Sequence, residues 1–529
     1  MKRLDFGSLV KAAPWLLIGV GIVLRVNQYV FNRSLWLDEA MLALNIIARP
    51  LAGLLQPLEF DQGAPLGFLV VEKLAIEVFG NSEYALRLFP LAAGLAALFL
   101  FNQVARDFVE PRAALIALAL FAVLDPLVYY ASEAKQYSSD IAIVLLVYWL
   151  ALSAERRGLP ARWLLAFAVA AAIAVWFSHP AIFVVTGIGV TWFAARATRR
   201  DSGAVKRLAV TYIFVLASFG VSYLVSLATL SSNQTLLDDW RGFFMPFPPI
   251  SSADVQWPIN TFFEIFNDPA GLTLSGLAAF LFLVGGAALM AEDRIKFWLL
   301  LAPVAITLFA SALHKYPFGG RLIMFMVPSL LLLIAQGAAR LSSKTSNLSP
   351  VVGIAVILLL FYHPATSAAR HLVRPQTAEE IKPVLRYVEQ RRAYEDVVYV
   401  YYSAQYAFRY YIGNVRFEGC ALSSALDGGR DRLPSSNLTL PNYAPTFNLG
   451  ERCVIGVKSR KDASKYLDDL ARLRGAARVW VLFSHVYDWG EIDEEQFYLD
   501  YLDRIGTRRD AFSRPGASVY LYDLSGGSK

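Results

Sequence analysis

For its first 370 residues the chain alternates long apolar runs with short polar ones; after that the period shortens. Runs of about 18 to 20 apolar residues are long enough to cross the ~30 Å hydrocarbon layer of a bilayer as helices. Such runs fall near 12–31, 85–105, 112–130, 137–154, 163–178, 181–196, 208–228, 272–290, 297–313, 321–339 and 351–366. They predict about eleven transmembrane helices. Two further apolar stretches, 40–57 and 64–80, are interrupted by polar residues and read as amphipathic helices lying in the interface. From about Gln376 the pattern predicts strands at Val397–Tyr402, Val479–Phe483 and Val519–Tyr522. Helices are expected at 377–392, 462–474 and 492–504, with a long Ser-, Pro-, Gly- and Asn-rich loop at 424–450. Alternating strand and helix over about 150 residues indicates a separate α/β domain. The expected organisation is a transmembrane part, 1–370, and an α/β domain, 371–529.

Composition agrees with the pattern. The 529 residues are 56% hydrophobic and only 17% charged, against about 25% charged for a soluble domain. Formal net charge is +6, but no basic stripe interleaved with aromatics points to nucleic acid. The basic residues instead mark one side of the membrane. Lys2, Arg3 and Lys11 precede the first span; Arg106 and Arg112, then Arg156, Arg157 and Arg162, then Arg196, Arg199, Arg200, Lys206 and Arg207 follow. Arg294, Lys296, Arg340 and Lys344 complete the set. They alternate correctly if the N-terminus is cytoplasmic, which puts the C-terminal domain outside the cytoplasm. That is the arrangement expected of a protein of the bacterial inner membrane with a periplasmic domain. The first span is too long, and lacks the small-residue site, for a cleaved signal peptide. Both cysteines, Cys420 and Cys453, lie in the C-terminal part, where that compartment permits a disulfide.

The same orientation gathers chemistry on the opposite face. Asp38-Glu39, Asp61-Gln62, the run Ser132-Glu133-Ala134-Lys135-Gln136-Tyr137, Ser178-His179-Pro180, and His314 through Arg321 occupy five different external loops. Ionisable groups at the lip of a span are costly, and their convergence on one side suggests a site. Lys135 with Tyr137, or Arg321, suits a phosphate, and a carboxylate suits a general base on a hydroxyl. Together these fit transfer of a group from a lipid phosphate. The competing reading of Asp38-Glu39 is a cap on the helix that follows. The loop at 229–270, with Trp240, Pro246, Pro248, Pro249 and Trp257, has the makings of a lid. The aromatic run Tyr399 to Tyr411 reads as core and interface belt.

Four of these motifs, in this order, resemble the GT-C membrane glycosyltransferases. Trp36-Leu37-Asp38-Glu39-Ala40 resembles their first-loop acidic motif, most closely that of the branch containing protein O-mannosyltransferases and the lipid A aminoarabinose transferase. Gln62-Gly63-Ala64-Pro65-Leu66-Gly67-Phe68 resembles a segment where that branch often carries His-Pro-Pro and an aromatic; the His and first Pro are absent here. Ser132 to Ser138 resembles Glu-Ala-Arg-x-Tyr with Lys135 in place of Arg, and Tyr316 to Arg321 is a looser match. The resemblance implies a polytopic α-helical GT-C-like fold and an inverting glycosyltransferase. The donor would be a polyprenyl-phosphate-linked monosaccharide, and the acceptor an envelope lipid, glycan or protein. It also implies Asp38 as base with Glu39 beside it. Glu133, Lys135, Tyr137, Arg321, His179, Asp61 and Gln62 would then bind substrate. Some relatives use a divalent metal and others none; the sequence shows no dense His and carboxylate cluster that demands one. A transporter, flippase or polymerase of lipid-linked saccharides is the alternative. Transport would place ionisable groups at mid-span, and few are there.

Overall fold

The computed structural model describes residues 6–342, 349–412, 447–448, 452–459, 462–489 and 492–526. The chain divides into two compact units. The first contains Met1–Phe31, Leu51–Pro57 and Gly63–Gln376; the second contains Asn32–Pro50, Leu58–Gln62 and Thr377–Lys529. Two short N-terminal pieces therefore belong with the C-terminal part.

The first unit is a bundle of apolar helices. Among the described residues nine helices are long and apolar enough to cross a membrane. A further apolar pair, Pro111–Val123 and Asp125–Ser132, passes as one span only with a break of 58°. The helix Ala161–Phe177 is shorter; at 17 residues it rises about 26 Å. These account for all eleven apolar stretches read from the sequence. The expectation of one continuous helix over 112–130 is corrected. Leu124 is extended and Pro126 follows, so the residue 126 amide that would bond the Ala122 carbonyl does not exist. Arg25, buried in the first span, donates to the freed carbonyls of Phe121 at 3.0 Å and Ala122 at 3.1 Å. Close crossings elsewhere rest on glycine: a Cβ at Gly285 would lie 1.8 Å from the Leu333 carbonyl oxygen, and one at Gly337 2.0 Å from that of Leu281. Small residues at such contacts let two backbones touch where lipid offers no hydrophobic drive to associate. The two most enclosed spans are Gly320–Leu341 and Tyr137–Arg156.

The second unit is α/β. Its main sheet uses β1 (Val397–Val400), β2 (Phe447–Asn448), β3 (Cys453–Ile455) and β4 (Val479–Ser484). After the short pair β5 (Asp488–Trp489) and β6 (Ile492–Asp493) come β7 (Thr507–Arg514) and β8 (Ala517–Asp523). The order is β2-β3-β1-β4-β8-β7. β1 runs parallel to β3 and β4, while β8 is antiparallel to both β4 and β7. All six residues of β4 are buried, as a strand covered on both faces must be. β7 was not expected: its sequence Thr-Arg-Arg-Asp-Ala-Phe-Ser-Arg is polar and lies at the sheet edge, where charge blunts unwanted pairing. Helices Ile381–Arg391, Ala463–Ala471 and Glu494–Ile505 match the three expected ones, and Gln405–Ile412 adds a fourth. Tyr399, Tyr401, Tyr402 and Tyr466 are buried. Tyr399 donates to Asp469, and the other three to Glu494, so the tyrosine run is core. Cys453 opens β3 and is buried; Cys420 and most of the 424–450 loop lie outside the described residues.

The two expected interfacial stretches are helical. Leu37–Ala48 belongs to the second unit and Leu66–Phe79 to the first.

Candidate active site

In the second unit, Asp38 and Glu39 are the second and third residues of the Leu37–Ala48 helix. Successive side chains on a helix diverge by about 100°, and here the two carboxylates separate. Glu39 is fully buried, lies 3.5 Å from Arg33, and accepts the Trp36 amide at 3.4 Å. It thus caps its own helix. Asp38 stays partly exposed. Asn45, two turns on, exchanges hydrogen bonds with the Glu59 backbone at 2.8 and 3.1 Å. That contact fixes the turn 58–62, in which Phe60 and Asp61 both adopt left-handed backbone (φ 63° and 53°). Such residues persist only where their surroundings hold them; Phe60 packs on Tyr406, ring centroids 5.0 Å apart. Gln62 is buried and donates to Met41 Sδ at 3.3 Å, one turn beyond Asp38. Asp61 is exposed.

In the first unit, the run from Ser132 to Gln136 forms the tight turn between the broken span and Tyr137–Arg156. The Lys135 amide donates to the Glu133 carbonyl at 2.7 Å. Glu133 and Lys135 are both buried. Tyr137 starts the second of these helices, and its ring meets Tyr130 at 5.2 Å, near edge-on. The Arg321 guanidinium lies 5.9 Å from the Tyr137 ring centre and 5.6 Å from that of Trp240. Glu133, Tyr137 and Arg321 all act electrostatically on the Tyr130 hydroxyl. Glu133, Tyr137 and Arg321 therefore share one neighbourhood, although Arg321 lies 184 residues beyond Tyr137 in the chain. Arg321 and Tyr137 sit at the starts of the two most enclosed spans, so packing below fixes their placement.

Trp240 ties the 229–270 segment to Arg321. Phe243 accepts the Phe318 amide at 2.8 Å, and Trp257 donates to the Gly242 carbonyl at 3.0 Å. Burial raises the Asp268 carboxyl above its ordinary range, and Glu264 adds to this while Arg321 opposes it. His179 lies 3.4 Å from Ser226 Oγ. Burial pushes its imidazole down to about 4, so the ring is neutral at physiological pH.

The sequence reading missed Asp140 and did not use the hydroxyl of Ser178. Asp140 is one turn into the Tyr137 helix and buried; the Ser178 hydroxyl faces its side chain, and neither Asp140 Oδ1 nor Ser178 Oγ makes a hydrogen bond of normal geometry. Asp140 and Tyr137 both bear on the Tyr316 hydroxyl, which burial holds protonated and which donates to the Leu322 carbonyl at 2.8 Å. Unpaired buried polar atoms are uncommon and costly, and these two lie beside the residues gathered around Arg321. An aspartate in an apolar helical run gives no sequence signal beyond its rarity. Among the described residues no three or more His, Cys, Asp or Glu side chains converge as a metal would need.

Comparison with known proteins bears on this arrangement. The family model of dolichyl-phosphate-mannose-protein mannosyltransferases matches residues 63–224. The crystal structure of ArnT from Cupriavidus metallidurans bound to undecaprenyl phosphate superposes with a TM-score of 0.54 at 14% identity. The match covers 97% of this chain and 98% of that one. The fold is that of the GT-C glycosyltransferases. The apo form of the same ArnT gives 0.52 at 15% identity, covering 96% and 97% of the two chains. The Archaeoglobus fulgidus oligosaccharyltransferase in its apo form gives 0.52 at 12%, covering 98% of this chain and 75% of that one. A further structure of that oligosaccharyltransferase, with Zn and sulfate, is matched over 61% of its length. No curated protein matches by sequence. A GT-C bundle with an appended α/β unit is thus the architecture, and the chain is an integral membrane protein.

Proposed function

We propose that the protein is an inverting glycosyltransferase that moves a monosaccharide from a polyprenyl-phosphate donor to an acceptor hydroxyl. The reaction takes place on the extracytoplasmic side of the membrane. The observation that carries this reading is the contrast between Asp38, partly exposed, and Glu39, buried against Arg33, on a chain with a GT-C fold. Asp38 takes the proton of the acceptor hydroxyl as its oxygen bonds to the anomeric carbon. The bond from that carbon to the phosphate oxygen breaks, and polyprenyl phosphate leaves. Lys135 and Arg321 offset the charge on the departing phosphate, with Tyr137 alongside. No second acid is needed, since phosphate is already a good leaving group. Asp140 Oδ1 and Ser178 Oγ serve sugar hydroxyls, which would complete the two unpaired atoms. The 229–270 segment, through Trp240, closes over Arg321. Glu39 holds the helix that presents Asp38. The relatives' lipids support the donor class: one ArnT structure contains undecaprenyl phosphate, and an Archaeoglobus fulgidus AglB structure contains dolichol phosphate with an inhibitory peptide.

The test is transfer of labelled sugar from a polyprenyl-phosphate donor in purified membranes. Asp38→Asn is expected to lower turnover about 100-fold or more, the range of general-base loss, in a protein that still folds. Transfer by Asp38→Asn at the wild-type rate would remove Asp38 from the base role.

A further inference from the structure

Residues 32–37, which lead into the Asp38 helix, make a series of hydrogen bonds with residues from the far end of the chain. Glu379 Oε2 accepts the Leu37 amide at 3.1 Å. Glu380 accepts the Ser34 amide at 3.2 Å and its hydroxyl at 3.1 Å. The Leu35 amide donates to the Tyr411 hydroxyl at 2.8 Å. Lys382 Nζ donates to the Asn32 carbonyl at 2.6 Å, and its amide to Ser34 Oγ at 3.1 Å. Each partner is itself held. Glu379 Oε1 lies 2.6 Å from His485 Nδ1, and the Glu380 amide donates to the Pro515 carbonyl at 2.8 Å. His485 adopts left-handed backbone (φ 52°), and the Trp36 ring lies 6.3 Å from its imidazole. Gly516, at φ 65°, closes the β7–β8 hairpin where a Cβ would strike the Ala378 carbonyl oxygen at 2.5 Å. The hairpin tip thereby backs the two glutamates.

These contacts do more than tether a loop. The first amides of a helix have no partner within it, and a carboxylate there also meets the positive end of the helix dipole. A charged acceptor makes such a bond stronger than one between neutral groups. Glu379 accepts from the residue immediately before Asp38, so its position fixes where the helix begins and which way its second residue points. Trp36, the N-cap, makes no side-chain cap of its own. We propose that Glu379 and Glu380 are positioning residues: from the C-terminal domain they set the start of the Asp38 helix and so place the base. This rests on the reading of Asp38 given above. A pair of carboxylates alone would mean little; here each oxygen invoked has a named donor in the segment it is said to hold.

The experiment uses the full-length enzyme with Glu379→Ala/Glu380→Ala, and Glu379→Gln as the conservative variant. Gln keeps a carbonyl oxygen for the Leu37 amide. Its amide nitrogen can donate to His485 Nδ1 in the other tautomer. Two readouts are taken: steady-state transfer, and hydrogen exchange at the amides of residues 34–40. The double variant is expected to exchange faster at 34–40 while β4 keeps its protection. Its kcat should fall about 10- to 100-fold, the scale of a ~1 Å misplacement, with KM for the donor unchanged. Glu379→Gln should restore most of both. Unchanged exchange at 34–40, or an effect spread equally over β4, overturns the proposal. If exchange changes as expected but Asp38→Asn is active, the clamp stands and the base assignment fails. A rise in donor KM at constant kcat would also overturn the positioning role, since it would show a loss of binding.

Discussion

Asp140 is the residue whose environment is hardest to reconcile with a purely structural part. Its carboxyl group is buried in a span with one oxygen short of a partner and only the Ser178 hydroxyl facing it, at poor hydrogen-bond geometry. Leaving such a group unsatisfied costs about 1 to 3 kcal/mol or more, so a structural aspartate here would be a burden. Asp140→Ala is therefore expected to leave the melting temperature in detergent unchanged or raised. It should lower kcat/KM for the donor about 10- to 100-fold, the worth of one or two bonds to substrate hydroxyls. A lower melting temperature with unchanged kcat/KM would make Asp140 part of the packing. At this scale the sequence was legible where residues were adjacent. Asp38 and Glu39 could be seen as a pair, but their opposite burial could not, since it depends on Arg33 and on which face of the helix meets the rest of the unit. The capping reading holds for Glu39, and Asp38 is the carboxylate left partly exposed. Arg33 itself carried no motif.

At the scale of elements, hydrophobic length alone located every apolar helix, because a bilayer imposes one dimension on all of them. It did not reveal the break at Leu124. The signal was present in Pro126, whose missing amide leaves the Ala122 carbonyl without its helical donor. The compensating residue, Arg25, is about 100 positions away, and pairing across that distance is invisible without an alignment or a structure. In hydrocarbon such carbonyls must be satisfied by protein. Arg25→Leu is expected to destabilise the bundle by about 2 to 4 kcal/mol, through two orphaned carbonyls. Thermal unfolding in detergent would measure it, and a loss under about 0.5 kcal/mol would show that water or lipid replaces the guanidinium. The broken span ends in the turn that carries Glu133 and Lys135. The kink therefore shapes the entry to that turn, and the arginine stands behind it.

For the whole molecule, the change of period near residue 376 correctly announced an α/β domain. A polar edge strand such as β7 has no alternation of its own and was found only through its pairing with β8. What no local pattern could show is that residues 32–50 and 58–62 join that domain. A cut in the sequence is a poor guide when the unit it defines is discontinuous. A chain ending at Gln376 is expected to insert into membranes and resist carbonate extraction, because the spans found among the described residues all precede that point, yet to transfer no sugar. Activity in that truncated chain would show that the C-terminal domain is accessory to the reaction.

The discontinuity also orders events in time. Leu37 is made early, and Glu379 only after the spans found among the described residues have been synthesised. At about 5 to 20 residues per second, the first helix of the second unit waits on the order of half a minute for the carboxylate that receives its leading amide. Until then the segment leading into the Asp38 helix has its local contacts but not its C-terminal partners. A ribosome that stalls, or a chain clipped before residue 377, leaves a product in which the Leu37 amide lacks its carboxylate. The late arrival of Glu379 thus makes the start of the Asp38 helix depend on residues synthesised long after it.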